Sequence, residues 1–162
     1  MKFQIIENKE LSGRVAKIYS IKENGDDLTY LEHFIANNMD DHSEEVGTIL
    51  SKLKTMGHET GCEWNLFEHN EGHGGDGVSC IKAGRFRLYC MYFGETLVIC
   101  GSGGWKDPAI RAYQENESLN KAAQDMKDVA KKINESLRKN DIQIDSDGRI
   151  NFFNDDYGRE EE

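Results

Sequence analysis

The most constraining feature of this sequence is a run of three strand-like segments separated by two short turns. The segments are Val78–Lys82, Arg85–Phe93 and Thr96–Gly101, and they are rich in β-branched, aromatic and other apolar residues. Only Ala83-Gly84 and Gly94-Glu95 separate them. Two-residue gaps join neighbouring antiparallel strands, whereas a parallel pair needs a crossover of a dozen or more residues. The run therefore predicts an antiparallel meander.

The segments on either side of the meander predict an α+β fold. Two strands, Phe3–Glu7 and Val15–Ile21, come first, and the irregular alternation of the second is typical of a curved or edge strand. Apolar residues at helical spacing then predict a hairpin of two short helices, and a long helix beginning near Asn116 follows the meander. We expect the N-terminal strands and the helical hairpin to pack on an antiparallel sheet.

Capping and turn residues set the expected boundaries. Asp26 or Asp27 is placed to cap the first short helix, while Asp41 with Glu44 predicts a capping box for the second, which Gly57 would end. Asp147-Gly148 predicts a small C-terminal β-hairpin. We therefore divide the chain into an α+β domain at 1–139 and a hairpin extension with an acidic tail at 140–162.

Composition limits the class of protein. The 162 residues are 37% apolar, which suffices for one sizeable core, and no apolar run approaches the roughly 20 residues of a membrane span. The N-terminal apolar stretch is too short for the core of a signal peptide, so we expect a cytoplasmic protein. Cysteines in strand-like segments of such a protein are usually core residues without disulfides. Of the four cysteines, Cys80, Cys90 and Cys100 lie in such segments and Cys62 precedes them, and we expect no disulfide among the four.

Charge is unevenly distributed along the chain. The net charge is -10, yet residues 78–113 contain five basic and two acidic side chains, whereas the segments before and after them are strongly acidic. Aromatic residues alternate with these cations. Cations beside rings that can stack suit a phosphate backbone with exposed bases, although the same rings could instead alternate into the core. The aromatic residues are Phe86, Tyr89, Tyr92, Phe93, Trp105 and Tyr113.

Strand alternation predicts where the cations point. Arg85, Arg87 and Tyr89 alternate with apolar residues at 86, 88 and 90, so the two sets fall on opposite faces. Because the apolar set must pack on the helices, we expect the arginines to line an open electropositive surface together with Lys106 or Arg111. Acidic residues of the helical hairpin are expected on the remote side.

Residues 82–90 of the basic segment read Lys-Ala-Gly-Arg-Phe-Arg-Leu-Tyr-Cys. This segment resembles RelE/HigB-like toxins of the RelE/ParE superfamily, in a phage- or mobile-element-type form, in which basic residues precede an Arg-Leu-Tyr strand. The strand at 96–101 and the glycine-lysine turn at 103–106 resemble the family's next strand, and Arg111 and Tyr113 match a later arginine and tyrosine loosely. The order of elements over residues 14–130 also resembles the RelE-like fold.

This resemblance implies a metal-independent endoribonuclease that cleaves mRNA at the ribosome, needs no cofactor and is neutralised by a helix-turn-helix antitoxin protein. A 2′-hydroxyl attacks the adjacent phosphate, so the enzyme supplies proton transfer and charge stabilisation. The resemblance implies that Lys82 transfers a proton, that Arg87 holds phosphate oxygens, and that Tyr113 stacks on a base or donates to the leaving oxygen. The implied RNA-binding residues are Arg85, Lys106 and Arg111.

A second interpretation follows from the acidic balance. Phosphate contacts supply much of the affinity of proteins for nucleic acid, and a net charge of -10 opposes them. The chain could therefore be a catalytically inactive binding module of the same fold, of phage origin, whose acidic surface binds a protein partner.

Two glycine-rich segments carry weaker signals. Gly72–Gly77 matches G-x-G-x-x-G but lacks the preceding strand and following helix of a dinucleotide site, so we discount it. Gly101–Gly104 suits either a turn whose backbone N–H groups bind an anion or a flexible connection between strand and helix.

Spacing alone would permit a zinc site in the polar loop. His58, Cys62, His69 and His73 are separated by intervals that zinc sites use, but a single thiolate among glycines favours a solvated loop. We predict that the purified protein contains no stoichiometric zinc. Elemental analysis that found one zinc per chain, lost in a Cys62→Ser variant, would contradict this prediction.

Overall fold

A five-stranded mixed sheet forms the centre of the protein in a computed structural model that describes residues 2–69, 77–106 and 117–153. The spatial order is β1-β2-β5-β4-β3. The strands β3, β4 and β5 form the predicted antiparallel meander, whereas β2 pairs with β5 in parallel. The expectation of an antiparallel sheet is therefore wrong at this pairing. The strands are β1 (Phe3–Glu7), β2 (Lys17–Glu23), β3 (Ser79–Ala83), β4 (Phe86–Phe93) and β5 (Leu97–Trp105).

Helices cover both faces of the sheet. One face packs on α1 and α2 through a core that includes Phe34, Ile49 and Phe86. The other face packs on α3 and on the small hairpin of β6 and β7 through a core that includes Tyr89 and Met126. No described helix combines the length and hydrophobicity needed to cross a bilayer. The elements are α1 (Tyr30–Asn38), α2 (Ser43–Thr55), α3 (Glu117–Arg138), β6 (Ile142–Ile144) and β7 (Ile150–Phe152).

Strand β2 lies inside the sheet and is not an edge strand. It is hydrogen-bonded to β1 on one side and to β5 on the other, and its first five residues are buried. A strand buried on both faces does not need strict alternation of apolar and polar residues. The segment predicted at Val15–Ile21 forms its strand at Lys17–Glu23, and of the two predicted alternatives, a curved or an edge strand, the edge is wrong.

The N-terminal ends of the helices differ from the predicted caps. Thr29 caps α1 and forms a capping box with Glu32, so neither Asp26 nor Asp27 is the cap. The N-cap of α2 is His42, which makes no side-chain capping bond. After α2 the chain continues as a π-helical turn, Met56–Thr60, and leaves it at Gly61, whose positive φ of 76° favours glycine. The α-helix itself ends at Thr55 with Met56 as its C-cap, so the predicted stop at Gly57 is correct for the α-helix, and only the π-helical turn continues beyond it.

The glycine-rich segment at 101–104 is part of β5, and it is neither an anion-binding turn nor a flexible connection. A Cβ added to Gly103 would lie 1.8 Å from the carbonyl oxygen of Arg87 on β4. A Cβ added to Gly101 would lie 2.8 Å from the sulfur of Met126 on α3. Glycine is required at 103 and favoured at 101, because neighbouring elements approach the β5 backbone closely at both positions.

The C-terminal hairpin is attached to the main core. Ile142 and Ile150 are buried in the same cluster as α3 and the sheet. The backbone N–H of Ile150 donates a hydrogen bond of 3.1 Å to the hydroxyl of Tyr19 on β2. The four cysteines are also buried, as predicted for core residues, and three of them, Cys80, Cys90 and Cys100, lie on strands.

The close packing at Gly103 predicts a large decrease in stability on substitution. We expect Gly103→Ala to lower the free energy of unfolding by about 2–3 kcal/mol, because the β4 backbone must move to admit the methyl group. The matched control is Gly47→Ala on α2, where nothing lies within 4 Å and helix propensity should add about 1 kcal/mol. Urea unfolding measures both. A Gly103→Ala variant as stable as the wild type would contradict the packing.

Candidate functional site

The basic residues of the meander gather at one end of the sheet. Lys82 on β3 lies directly opposite Arg87 on β4 in the strand register. Arg85 lies in the β3–β4 turn beside Lys106, which follows β5. Two hydrogen bonds link them: the Lys106 N–H donates to the Arg85 carbonyl at 2.7 Å, and Arg85 Nε donates to the Lys106 carbonyl at 2.9 Å. We call these four residues, with Lys52, the basic end.

Lys52 was not predicted from sequence, because it lies on α2, thirty positions before Lys82. Its ammonium donates a 2.6 Å hydrogen bond to the Lys82 carbonyl. The two lysines line an open cleft of about 400 Å³, together with Gly84 and the segment 65–68. A contact between α2 and β3 depends on tertiary packing, and no local motif encodes it.

Alternation along β4 follows the prediction, but the face bearing Arg87 is not open. Phe86, Leu88 and Cys90 pack toward α1 and α2, while Tyr89 packs toward α3. The Arg87 side chain is only 4% exposed. The expectation that Arg87 lines an open surface is therefore wrong, because helix packing covers both faces of this sheet.

The Arg87 guanidinium makes hydrogen bonds to its own β-hairpin. Its Nη1 donates to the carbonyl of Gly84 at 2.7 Å and to that of Phe86 at 3.0 Å. A buried cation is stabilised when it is hydrogen-bonded, and these contacts tie the arginine to the β3–β4 turn. In this arrangement Arg87 supports the turn that carries Arg85.

Acidic side chains are not confined to the remote side of the molecule. A Cβ built on Gly84 would lie 4.0 Å from Cγ of Glu45 on α2, and Glu68 lines the cleft. Both carboxylates therefore lie near the basic end, which corrects the expected separation. The five cations of the basic end still outnumber these two carboxylates.

Two tryptophans near the basic end are solvent-exposed. Trp105 precedes Lys106 and is 42% exposed, with the ring of His42 parallel to it at a centroid distance of 6.5 Å. Trp64 directly precedes the cleft segment, is 70% exposed and stacks on His69 at 4.3 Å. In contrast, Phe86 and Tyr89 are core residues. Only part of the aromatic pattern is thus available for stacking.

The remaining predicted residues belong to the RNA site or to the possible zinc site. The structure does not describe three of them, Arg111, Tyr113 and His73. Within the described residues no group of three potential metal ligands comes together. Burial raises the pKa of the Cys62 thiol to about 12, and His69 Nε2 lies 2.7 Å from the Tyr92 hydroxyl. These two side chains are therefore engaged in packing and hydrogen bonding.

The contacts of Arg87 predict a structural effect on substitution. We expect Arg87→Ala to lower the free energy of unfolding by about 2–3 kcal/mol, since two carbonyls lose a charged donor. Arg85→Ala, which removes one hydrogen bond from a half-buried side chain, should cost about 1 kcal/mol or less. Denaturant unfolding compares the two variants directly. Equal decreases in the free energy of unfolding of the two variants would show that Arg87 has no special structural role.

Comparison with known proteins gives no match. No protein-family model, curated protein or solved structure matches this chain. The resemblance to RelE/HigB-like toxins therefore rests on the strand motif and the order of elements.

Proposed function

We propose that the chain is a RelE/HigB-like toxin that binds mRNA at the basic end and cleaves it without a metal, with an antitoxin protein as its inhibitor. The observation that carries the proposal is the convergence of Lys52, Lys82, Arg85 and Lys106 at one end of a sheet in a protein of net charge -10. Such a local cation cluster is the arrangement that holds a phosphate backbone. It would bind RNA despite the acidic remainder of the chain.

The aromatic residues support binding of single-stranded RNA. Trp64 and Trp105 present exposed rings next to the cations, and a base can stack on either ring. Stacking tolerates any base, while the lysines and Arg85 contact phosphates. The combination favours a single-stranded segment over a duplex, whose bases are already stacked.

Within this proposal the catalytic roles are redistributed. Lys82 is the proton-transfer residue and Arg85 stabilises the charge on the phosphate, because its guanidinium forks onto phosphate oxygens. Arg87 is a positioning residue that holds the β3–β4 turn through the Gly84 carbonyl. Tyr113 and Arg111 keep the roles that the resemblance implies.

A second candidate function is a catalytically inactive module of the same fold that binds a protein partner. The burial of Arg87 favours it, since this arginine was expected to contact the phosphate directly. The acidic surface of such a module would bind a basic partner. The two candidates differ in whether RNA is cleaved.

Induced expression in the native or a related bacterial host separates the candidates. We expect growth arrest with the wild type, relieved by Lys82→Met and by Arg85→Ala but retained in Lys139→Ala, an exposed lysine just beyond the far end of α3. Primer extension on cellular mRNA should detect new 5′ ends with the wild type and with Lys139→Ala, but not with Lys82→Met or Arg85→Ala. If the folded wild-type protein causes no growth arrest and no cleavage, the toxin proposal is overturned and the inactive module is favoured.

Binding to a labelled single-stranded RNA tests the interface separately from cleavage. The association constant K falls as salt concentration rises. Lys82→Met and Arg85→Ala should each make the negative slope of log K against log salt concentration shallower by about 0.7 for each phosphate that the variant no longer neutralises. Trp64→Ala should weaken binding about tenfold with an unchanged slope, since stacking contributes about 1–3 kcal/mol per base. Fluorescence anisotropy over a salt series measures both effects. Identical slopes for the wild type and both cation variants would refute the interface.

A further inference from the structure

A second group of cations surrounds a cavity at the opposite end of β5. The cavity has a volume of about 600 Å³ and lies between the β1–β2 loop, the π-helical turn after α2 and the tip of the β6–β7 hairpin. Its described lining includes one carboxylate, so the local charge is positive in an acidic protein. The charged and titratable lining residues are Glu7, Lys9, Arg14, Lys17, His58 and Arg149.

Lys17 is the buried member of this group. Its side chain is 7% exposed, and its ammonium donates to the carbonyl of Gly13. An ammonium group has three donors, and a buried charge is costly unless it is paired. Within the described residues no carboxylate forms an ion pair with Lys17. An anion in the cavity would supply the missing opposite charge.

The wall of the cavity is held in place by close backbone packing. The N–H groups of Val15 and Ala16 both donate to the carbonyl of Gly57, at 3.0 and 3.1 Å. A Cβ on Gly13 would lie 2.2 Å from the same carbonyl oxygen. The β1–β2 loop is therefore fixed against the turn that carries His58. A site formed before the ligand arrives loses less entropy on binding.

The C-terminal hairpin contributes Arg149 to this cavity. The hairpin tip packs on the strand end, because a Cβ on Gly148 would lie 1.9 Å from the carbonyl oxygen of Thr96. Arg149 Nε lies 3.8 Å from Asp147 Oδ2, and its side chain is 61% exposed. Such an exposed, long ion pair is weak, so the guanidinium can turn toward a more highly charged ligand.

We propose that this cavity binds a compact polyanion with two or more linked phosphates, such as pyrophosphate or the phosphate chain of a nucleotide. The lining holds four cations against one carboxylate, and Asp147 lies 3.8 Å from Arg149, so an excess of positive charge remains at the cavity. Guanidinium groups pair with phosphate oxygens in a bidentate manner. The volume lies within the range of small-molecule sites. The cavity is about 30 Å along β5 from the basic end, so this inference is independent of the proposed RNA interface.

Calorimetric titration with sodium pyrophosphate, in the presence of a chelator and at fixed salt, tests the proposal. We expect Arg14→Ala and Arg149→Ala each to raise the Kd about tenfold, because each removes one charge-assisted contact. Both side chains are exposed, so these variants should fold. Lys17→Met should abolish binding and leave a folded protein with a modestly lower unfolding midpoint, because the Gly13 carbonyl loses its charged donor. The matched control, Lys139→Ala, should bind as the wild type does.

Further ligands identify the phosphate source. If a nucleoside triphosphate binds as tightly as pyrophosphate, the site recognises the phosphate chain alone. If it binds more tightly than pyrophosphate, the site also contacts the nucleoside. Citrate that binds more tightly than pyrophosphate would overturn the phosphate assignment. The proposal also fails if pyrophosphate releases no heat and does not raise the melting temperature, or if both arginine variants keep the wild-type Kd.

Discussion

Strand β5 organises the fold because it is hydrogen-bonded along both of its edges. β5 joins the antiparallel meander to β2, and it is covered by α1 and α2 on one face and by α3 on the other. Leu97–Cys100 are fully buried, so this part of the strand can carry only apolar side chains. At Gly103 the β4 backbone is so close that no side chain fits. The strand therefore holds the two halves of the chain together through apolar packing and its backbone hydrogen bonds.

The same constraint accounts for where the charged groups lie. Because the middle of the sheet is buried on both faces, cations of the strands are found mostly at strand ends and in adjoining turns. One set forms the basic end at Lys82 and Arg85, and the other surrounds Lys17 about 30 Å away. At physiological ionic strength the Debye length is about 8 Å, so each set acts on a bound ligand largely independently of the distant acidic surface. Under the proposed function, the net charge of -10 would affect the rate of encounter with RNA more than the contacts made in the complex.

Local signals predicted the elements well and their environments less well. The two-residue turns predicted the meander, and the alternation at 86–90 predicted which side chains face the helical hairpin. The capping box of Thr29 and Glu32 has the S/T-x-x-E spacing that the sequence shows, but Asp26 and Asp27 are also good N-cap residues and were predicted instead. The burial of Arg87 was not readable. It depends on helices that cover the second face of the sheet, and nothing in residues 85–90 encodes that cover.

Local patterns in the sequence were sufficient to predict the order and type of the elements, the core positions of the cysteines and the excess of cations in the meander. These properties follow from short-range periodicity and turn chemistry, which act over a few residues. Tertiary structure alone decided that β2 and β5 pair in parallel, that Lys52 joins Lys82, and that Arg149 reaches the cavity of Lys17. These residues are separated by 30 to 132 positions. Their proximity results from how the helices and the C-terminal hairpin pack on the sheet, and only the folded chain specifies that packing.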